Sequence, residues 1–181
     1  LFYDVVKPIA STGIPVDFIG MAGNHDREAD KQFTVNPGFT YYTFTIYKCL
    51  EMLCQEAGFK NVKFIIPDDH YFIYEMYGRN FLVEHGYLIG KMDVNSMEKE
   101  IVKRSTQNDV IISGIRIGHY HNDFVSGCGR FIVNGGLPLD DHFGNMLGYK
   151  SRPCQIINYY VETDRDTSYY HSFVVNLQGI K

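Results

Sequence analysis

The chain contains no tryptophan, and its 181 residues include only six prolines and four cysteines. No run of about 18 apolar residues occurs, which excludes a membrane-spanning helix of ordinary length. Leu1-Phe2-Tyr3-Asp4 offers neither a basic leader nor a cleavage site, so no signal peptide is visible there. None of Cys49, Cys54, Cys128 and Cys154 forms a C-x-x-C pair, which argues against a zinc ribbon. They read as buried free thiols of a reducing compartment. Cations are in the minority: 17 Lys and Arg face 21 Asp and Glu, for a net charge of −4. The whole-chain basic footprint of a nucleic-acid or anionic-membrane binder is therefore missing. What remains is ordinary globular composition, 45% apolar and 21% charged, which excludes a disordered tail and a coiled coil. The length fits one domain with a core of its own.

Residues 1–13 read as the end of a helix with Val5, Val6 and Ile9 on one stripe and Gly13 as its cap. The apolar run 16–21 is a buried strand, and residues 22–38 are loop. A helix is expected over 40–57, burying Tyr42, Ile46, Cys49, Leu50 and Leu53. A short strand follows at 62–66. A hairpin is expected over 71–77 and 80–84, around Gly78-Arg79. A second helix over 96–105 takes Asn95 as its N-cap with Glu98 behind it. Strands are expected at 109–113, 130–133, 155–161 and 169–177. Strand–loop–helix units followed by strands suggest two sheets packed face to face with helices outside, and no second domain is marked.

Three loops carry the chemistry. Gly23-Asn24-His25-Asp26 follows the first strand, at the carboxyl end where α/β proteins place ligands. Asn24 supplies a neutral oxygen for a hard cation, His25 can donate a proton, and Asp26 can hold the imidazole in one tautomer. Glu84-His85-Gly86 ends another strand, and Gly118-His119-Tyr120-His121 follows a third. Two histidines at i and i+2 in extended backbone would point the same way and reach one metal cluster. Each motif alone also fits a turn or a satisfied structural histidine. Their succession, each after an apolar strand, suits a dinuclear site for Zn, Mn or Fe.

In this order the motifs resemble the second half of the calcineurin-like metallophosphoesterase signature, which runs D-x-H, G-D-x-x-D, G-N-H-D/E, a lone H and G-H-x-H. The resemblance implies an α/β fold, a four-layer α/β/β/α sandwich with mixed sheets. It implies that Asn24, His85 and His119 bind one metal ion and His121 the other. His25, not a ligand, would contact phosphate and protonate the leaving oxygen, with Asp26 orienting it. Two divalent ions (Mn, Zn or Fe) would activate a bridging hydroxide for in-line attack on phosphorus. The first two motifs are absent: no Gly-Asp dipeptide occurs, and D-x-H stands only at Asp68-Asp69-His70 and Asp140-Asp141-His142, in the wrong order. The expectation is a single phosphoesterase domain over residues 1–181 lacking its N-terminal third, with weak metal binding and little activity alone.

The segment from Asn134-Gly135-Gly136-Leu137 to Pro153-Cys154-Gln155 more loosely resembles virus- and prophage-borne members likened to DNA-repair exonucleases. That implies a phosphodiester substrate, nucleic acid among the candidates, in the cytoplasm of a bacterium or infected host cell. Arg104, Arg116, Arg130, Lys150 and Arg152 are candidates for a local basic patch, and Tyr41-Tyr42, Tyr159-Tyr160 and Tyr169-Tyr170 for base stacking. A solvated face and strand packing explain the same residues. The alternative function is a non-catalytic accessory protein that keeps the fold. A third possibility is a single-metal protein using His85, His119 and His121.

Overall fold

The computed structural model describes residues 1–27, 40–137, 153–162 and 167–177. The architecture is mixed α/β with mixed sheets, the class the sequence leads one to expect. The chain forms two compact units, Leu1–Tyr71 and Phe72–Lys181. Among the described residues no helix is long and apolar enough to cross a membrane.

The first unit opens with a π-helical turn, Phe2–Val6, that runs into α1, Lys7–Ala10. Strand β1, Val16–Ile19, lies parallel to β2, Val62–Ile65, in a two-stranded sheet. Between them in sequence comes α2, Tyr42–Glu56. The core joins Val6, Leu50 and Cys54 to the partly buried rings Phe2, Phe18, Tyr47, Phe59 and Phe64. Phe18 and Phe64 are register partners across the two strands, with ring centroids 4.8 Å apart. Tyr47, Leu50 and Cys54 recur at helical spacing, so they form the buried stripe of α2. This corrects the expected face: Tyr42, Ile46, Cys49 and Leu53 are exposed, and so are Val5 and Ile9 at the start of the chain.

The second unit is built on a five-stranded sheet in the order β3-β4-β5-β7-β6. Its strands are β3, Tyr71–Met76; β4, Arg79–Glu84; β5, Ile112–Ile117; β6, Phe124–Ser126; and β7, Phe131–Val133. Tyr77 and Gly78, both at positive φ, close the β3–β4 hairpin. β5 pairs in parallel with both β4 and β7, so both its edges are bonded, and its three isoleucines, Ile112, Ile115 and Ile117, are buried. β6 runs antiparallel to β7. Helix α3, Val94–Asn108, packs on β5. Its N-cap is Asp93, whose carboxylate accepts the Ser96 N–H at 2.8 Å, rather than Asn95. α3 buries Met97 and Ile101 together with an ion pair, Arg104 Nε to Glu100 Oε1 at 2.7 Å. It ends at Asp109, which takes the left-handed conformation. That turn moves the next strand from the expected 109–113 to 112–117.

A second sheet in this unit is the antiparallel pair β8, Cys154–Glu162, and β9, Thr167–Asn176. The Arg116 guanidinium lies over the Phe81 ring at 4.6 Å and bonds the Tyr160 hydroxyl, which ties β5 to β8. Asn134 holds the same hairpin by bonds to the Gln155 side chain and the Ile156 N–H, each 2.7 Å.

Candidate metal centre

In the first unit, Gly23-Asn24-His25-Asp26 turns directly after β1, as the sequence places it. The turn is closed by its own aspartate. Asp26 Oδ2 accepts from the Gly23 N–H at 2.8 Å and from the Thr43 hydroxyl at 2.9 Å. Asp26 O accepts the Tyr42 N–H, which seats the turn on the first residue of α2. Tyr47 donates to Met21 O beside it, and burial together with the Asp26 charge raises the phenol above its ordinary range. These bonds spend Asp26 on the turn and on α2. His25 is exposed and Asn24 half-buried.

In the second unit, β4 and β5 lie side by side and parallel, so their carboxyl ends deliver His85 and His119 to one edge of the sheet. The Gly118 N–H donates to His85 O at 3.0 Å, which extends the ladder one step past the strands. Gly86 sits at φ 106°, where a Cβ would stand 3.3 Å from Ile117 Cβ and 3.5 Å from His119 Cβ. The backbone angle favours glycine, and a Cβ there would press on Ile117 by a few tenths of an ångström. The result is a pair of imidazoles with His85 Nε2 and His119 Nδ1 3.3 Å apart and the rings edge to face. Tyr87 stands beside both rings.

The Gly-His-Tyr-His segment is not extended, which corrects the sequence reading. His119 has φ 70° and His121 φ 58°. The Tyr120 N–H donates to Gly118 O at 2.8 Å, two residues back, so His119 is the centre of a γ-turn of the strained kind, with positive φ. Each left-handed non-glycine residue costs on the order of 1 kcal/mol or more, and such strain concentrates at functional sites. His121 backs onto Gly136, where a Cβ would meet its Cβ at 3.5 Å.

The spacing of the two imidazole nitrogens is that of an N–H···N hydrogen bond and also that of two ligands on one divalent cation. Two nitrogens each about 2.0–2.1 Å from one tetrahedral ion lie roughly 3.3–3.4 Å apart, the spacing of His85 and His119. Among the described residues, no group of three or more His, Cys, Asp or Glu side chains is gathered to hold a metal. The second unit thus offers two imidazoles of a site, and Asn24 and His25 belong to the other unit.

Sequence reasoning missed Glu84, the neighbour of His85. It is 4% exposed, and neither carboxylate oxygen has a hydrogen-bond partner among the described residues. Burial, helped by the nearby Glu100 charge and opposed by Arg104 and Lys103, pushes its carboxyl up to about 7. The sequence offers no warning, since a lone glutamate at a strand end usually faces water. Tyr120, also missed, donates its hydroxyl to Ile89 O.

Other candidates fall differently. Arg104 pairs with Glu100, Arg116 with Tyr160, and Arg130 with Glu98 at 2.7 Å, so three members of the expected basic patch bind their own chain. Lys150 and Arg152 lie outside the described residues, as does Asp140-Asp141-His142. At Asp68-Asp69-His70, Asp69 accepts the His70 N–H, a bend before β3. Tyr41 is buried, Tyr42 and Tyr159 are exposed, and the side chains of Tyr169 and Tyr170 lie outside the description. All four cysteines are free, but Cys49 and Cys128 are exposed rather than buried.

No protein-family model and no curated protein matches the chain. Similar solved structures include Vps29 of Entamoeba histolytica in complex with Zn2+, at 14% identity and TM-score 0.42, covering 95% of this chain and 88% of that one. Vps29 of Cryptosporidium parvum is 16% identical with TM-score 0.41, covering 72% and 76%. A predicted phosphoesterase of Streptococcus pneumoniae is 14% identical with TM-score 0.34, covering 65% and 71%.

Proposed function

We propose that this chain is the metal-binding part of a metal-dependent phosphoesterase that hydrolyses a phosphodiester, with nuclease-like chemistry. The observation that carries the reading is the 3.3 Å separation of His85 Nε2 and His119 Nδ1 at the ends of two adjacent parallel strands. The motif order supplies the rest of the assignment: Asn24, His85 and His119 to one ion, His121 to a second, with Mn, Zn or Fe as the metals. Such ions supply Lewis acidity toward phosphate oxygens and a nucleophile at neutral pH. His25, which is exposed on its turn, is the residue that we assign to hold phosphate and to give a proton to the departing oxygen. Asp26 keeps that turn closed through Gly23 and Thr43. The free state of all four cysteines accords with a cytoplasmic setting. The looser likeness to phage-borne exonucleases favours a diester over a monoester.

A second reading, a non-catalytic accessory protein, draws support from the lack of a three-ligand group among the described residues. The two separate in one experiment. Metal uptake and metal-dependent hydrolysis of bis(p-nitrophenyl) phosphate are measured for the wild type, His25→Ala and His119→Ala. An enzyme should show weak turnover that His25→Ala lowers by roughly 100-fold or more while metal uptake stays, and His119→Ala should lose both. Unchanged metal uptake in His119→Ala, or metal-dependent turnover that His25→Ala leaves unchanged, overturns the enzymatic reading.

A further inference from the structure

We infer that Tyr120 is the positioning residue of the imidazole pair: its hydroxyl, bonded to Ile89 O, holds the strained turn that aims His119 at His85. The inference rests on the metal-binding reading of that pair. Tyr120 lies between two residues of positive φ, His119 and His121, and its own N–H closes the γ-turn on Gly118 O. A turn of that kind relaxes unless its surroundings over-determine it. Upstream, Gly118 is fixed by its N–H bond to His85 O, and Ile117 O accepts from the Asn134 N–H at 2.7 Å. Downstream, the Tyr120 side chain supplies the matching restraint. It reaches back to the loop that follows His85, where Ile89 is buried.

That loop is itself held at both ends. The Ile89 N–H donates to Gly86 O, and Asp93 caps α3 through the Ser96 N–H and hydroxyl. One hydroxyl therefore clips the segment carrying His119 to the segment carrying His85. The chemistry needs such a clip. Two imidazoles bind one cation well only when both nitrogens stay within a few tenths of an ångström of their places, and groups outside the ligand set provide that restraint.

The test uses Tyr120→Phe, which keeps the ring and removes the bond, with His119→Ala as the control. Zn2+ affinity is measured by calorimetry, the Co2+ complex by its visible spectrum, and the melting midpoint in chelator. Tyr120→Phe should weaken Zn2+ binding about five- to tenfold, the loss of one hydrogen bond, and change the Co2+ spectrum. Its midpoint in chelator should stay near that of the wild type, and His119→Ala should lose binding. Wild-type affinity and spectrum in Tyr120→Phe, with binding lost in His119→Ala, overturn the role of Tyr120 alone. Unchanged binding in His119→Ala overturns the metal pair and this role with it. A large fall of the chelated midpoint with no change in the Co2+ spectrum makes Tyr120 a stability residue and also overturns the inference.

Discussion

Glu84→Gln should stabilise the metal-free protein at pH 8 and do nothing near pH 4. In the native state the Glu84 carboxyl is 4% exposed, without a hydrogen-bond partner among the described residues, and its value is pushed from 4.5 to about 7. The groups facing it are Glu100, Lys103 and Arg104 on α3 and Tyr120 from the turn after β5, whose phenol the Glu84 charge helps to raise. The sign follows from proton uptake. Below about pH 4.5 the carboxyl is protonated in both states and costs nothing. As pH rises toward 7 the unfolded chain releases this proton and the native chain keeps it, so stability falls. Above 7 the loss is complete, at roughly 3 kcal/mol by linkage. A neutral amide of the same shape removes the titration. For a chain of this size that gain is on the order of 6–12 °C in melting midpoint at pH 8, less the cost of an unpaired amide. The assay is thermal or urea unfolding of both proteins in chelator from pH 4 to 8. Parallel stability profiles for the two proteins across that range would refute the reasoning, because they would mean that Glu84 is hydrated or paired in solution.

Three other substitutions test the fold beneath the site. Leu82→Ala, at a fully buried position of β4, should cost about 2–5 kcal/mol in urea unfolding. Gly114→Ala puts a Cβ 2.6 Å from Arg130 O, a backbone atom, so β5 and β7 must separate. It should destabilise by about 1–3 kcal/mol or abolish soluble expression. Asp93→Ala removes the α3 cap. The Ser96 N–H holds the Asp93 carboxyl below its ordinary 3.8, so the stability it contributes is present above that value and is lost as pH falls further. The midpoint difference between Asp93→Ala and wild type should therefore shrink in acid.

The helix α2 illustrates how far a sequence can be read. Its limits, Tyr42–Glu56, follow from apolar spacing. Its buried side does not, because two apolar stripes run along it: Tyr42, Ile46, Cys49 and Leu53 on one, Tyr47, Leu50 and Cys54 on the other. Periodicity reports amphipathicity but not which stripe meets the sheet. The rings of Phe18 and Phe64 decide that, and they come from the two strands on either side of the helix in sequence. The α3 cap has the same character. Asp93 and Asn95 are both able caps, and the extended backbone at Asp93, φ −139° and ψ 158°, selects between them.

The candidate site shows the complementary limit. Motif order brought out His85 and His119, since residues ending two apolar strands meet wherever those strands are parallel neighbours. Backbone shape at His119 was beyond that reasoning. An i, i+2 pair suggests extended chain, yet Tyr120 turns back on Gly118, and the two histidines take left-handed angles instead. The γ-turn converts a strand end into a corner that carries His119, at an energetic cost that local propensity disfavours. The place where the local rule fails is thus the place where the imidazoles converge. Functional sites are where such disagreement between local preference and fold is expected.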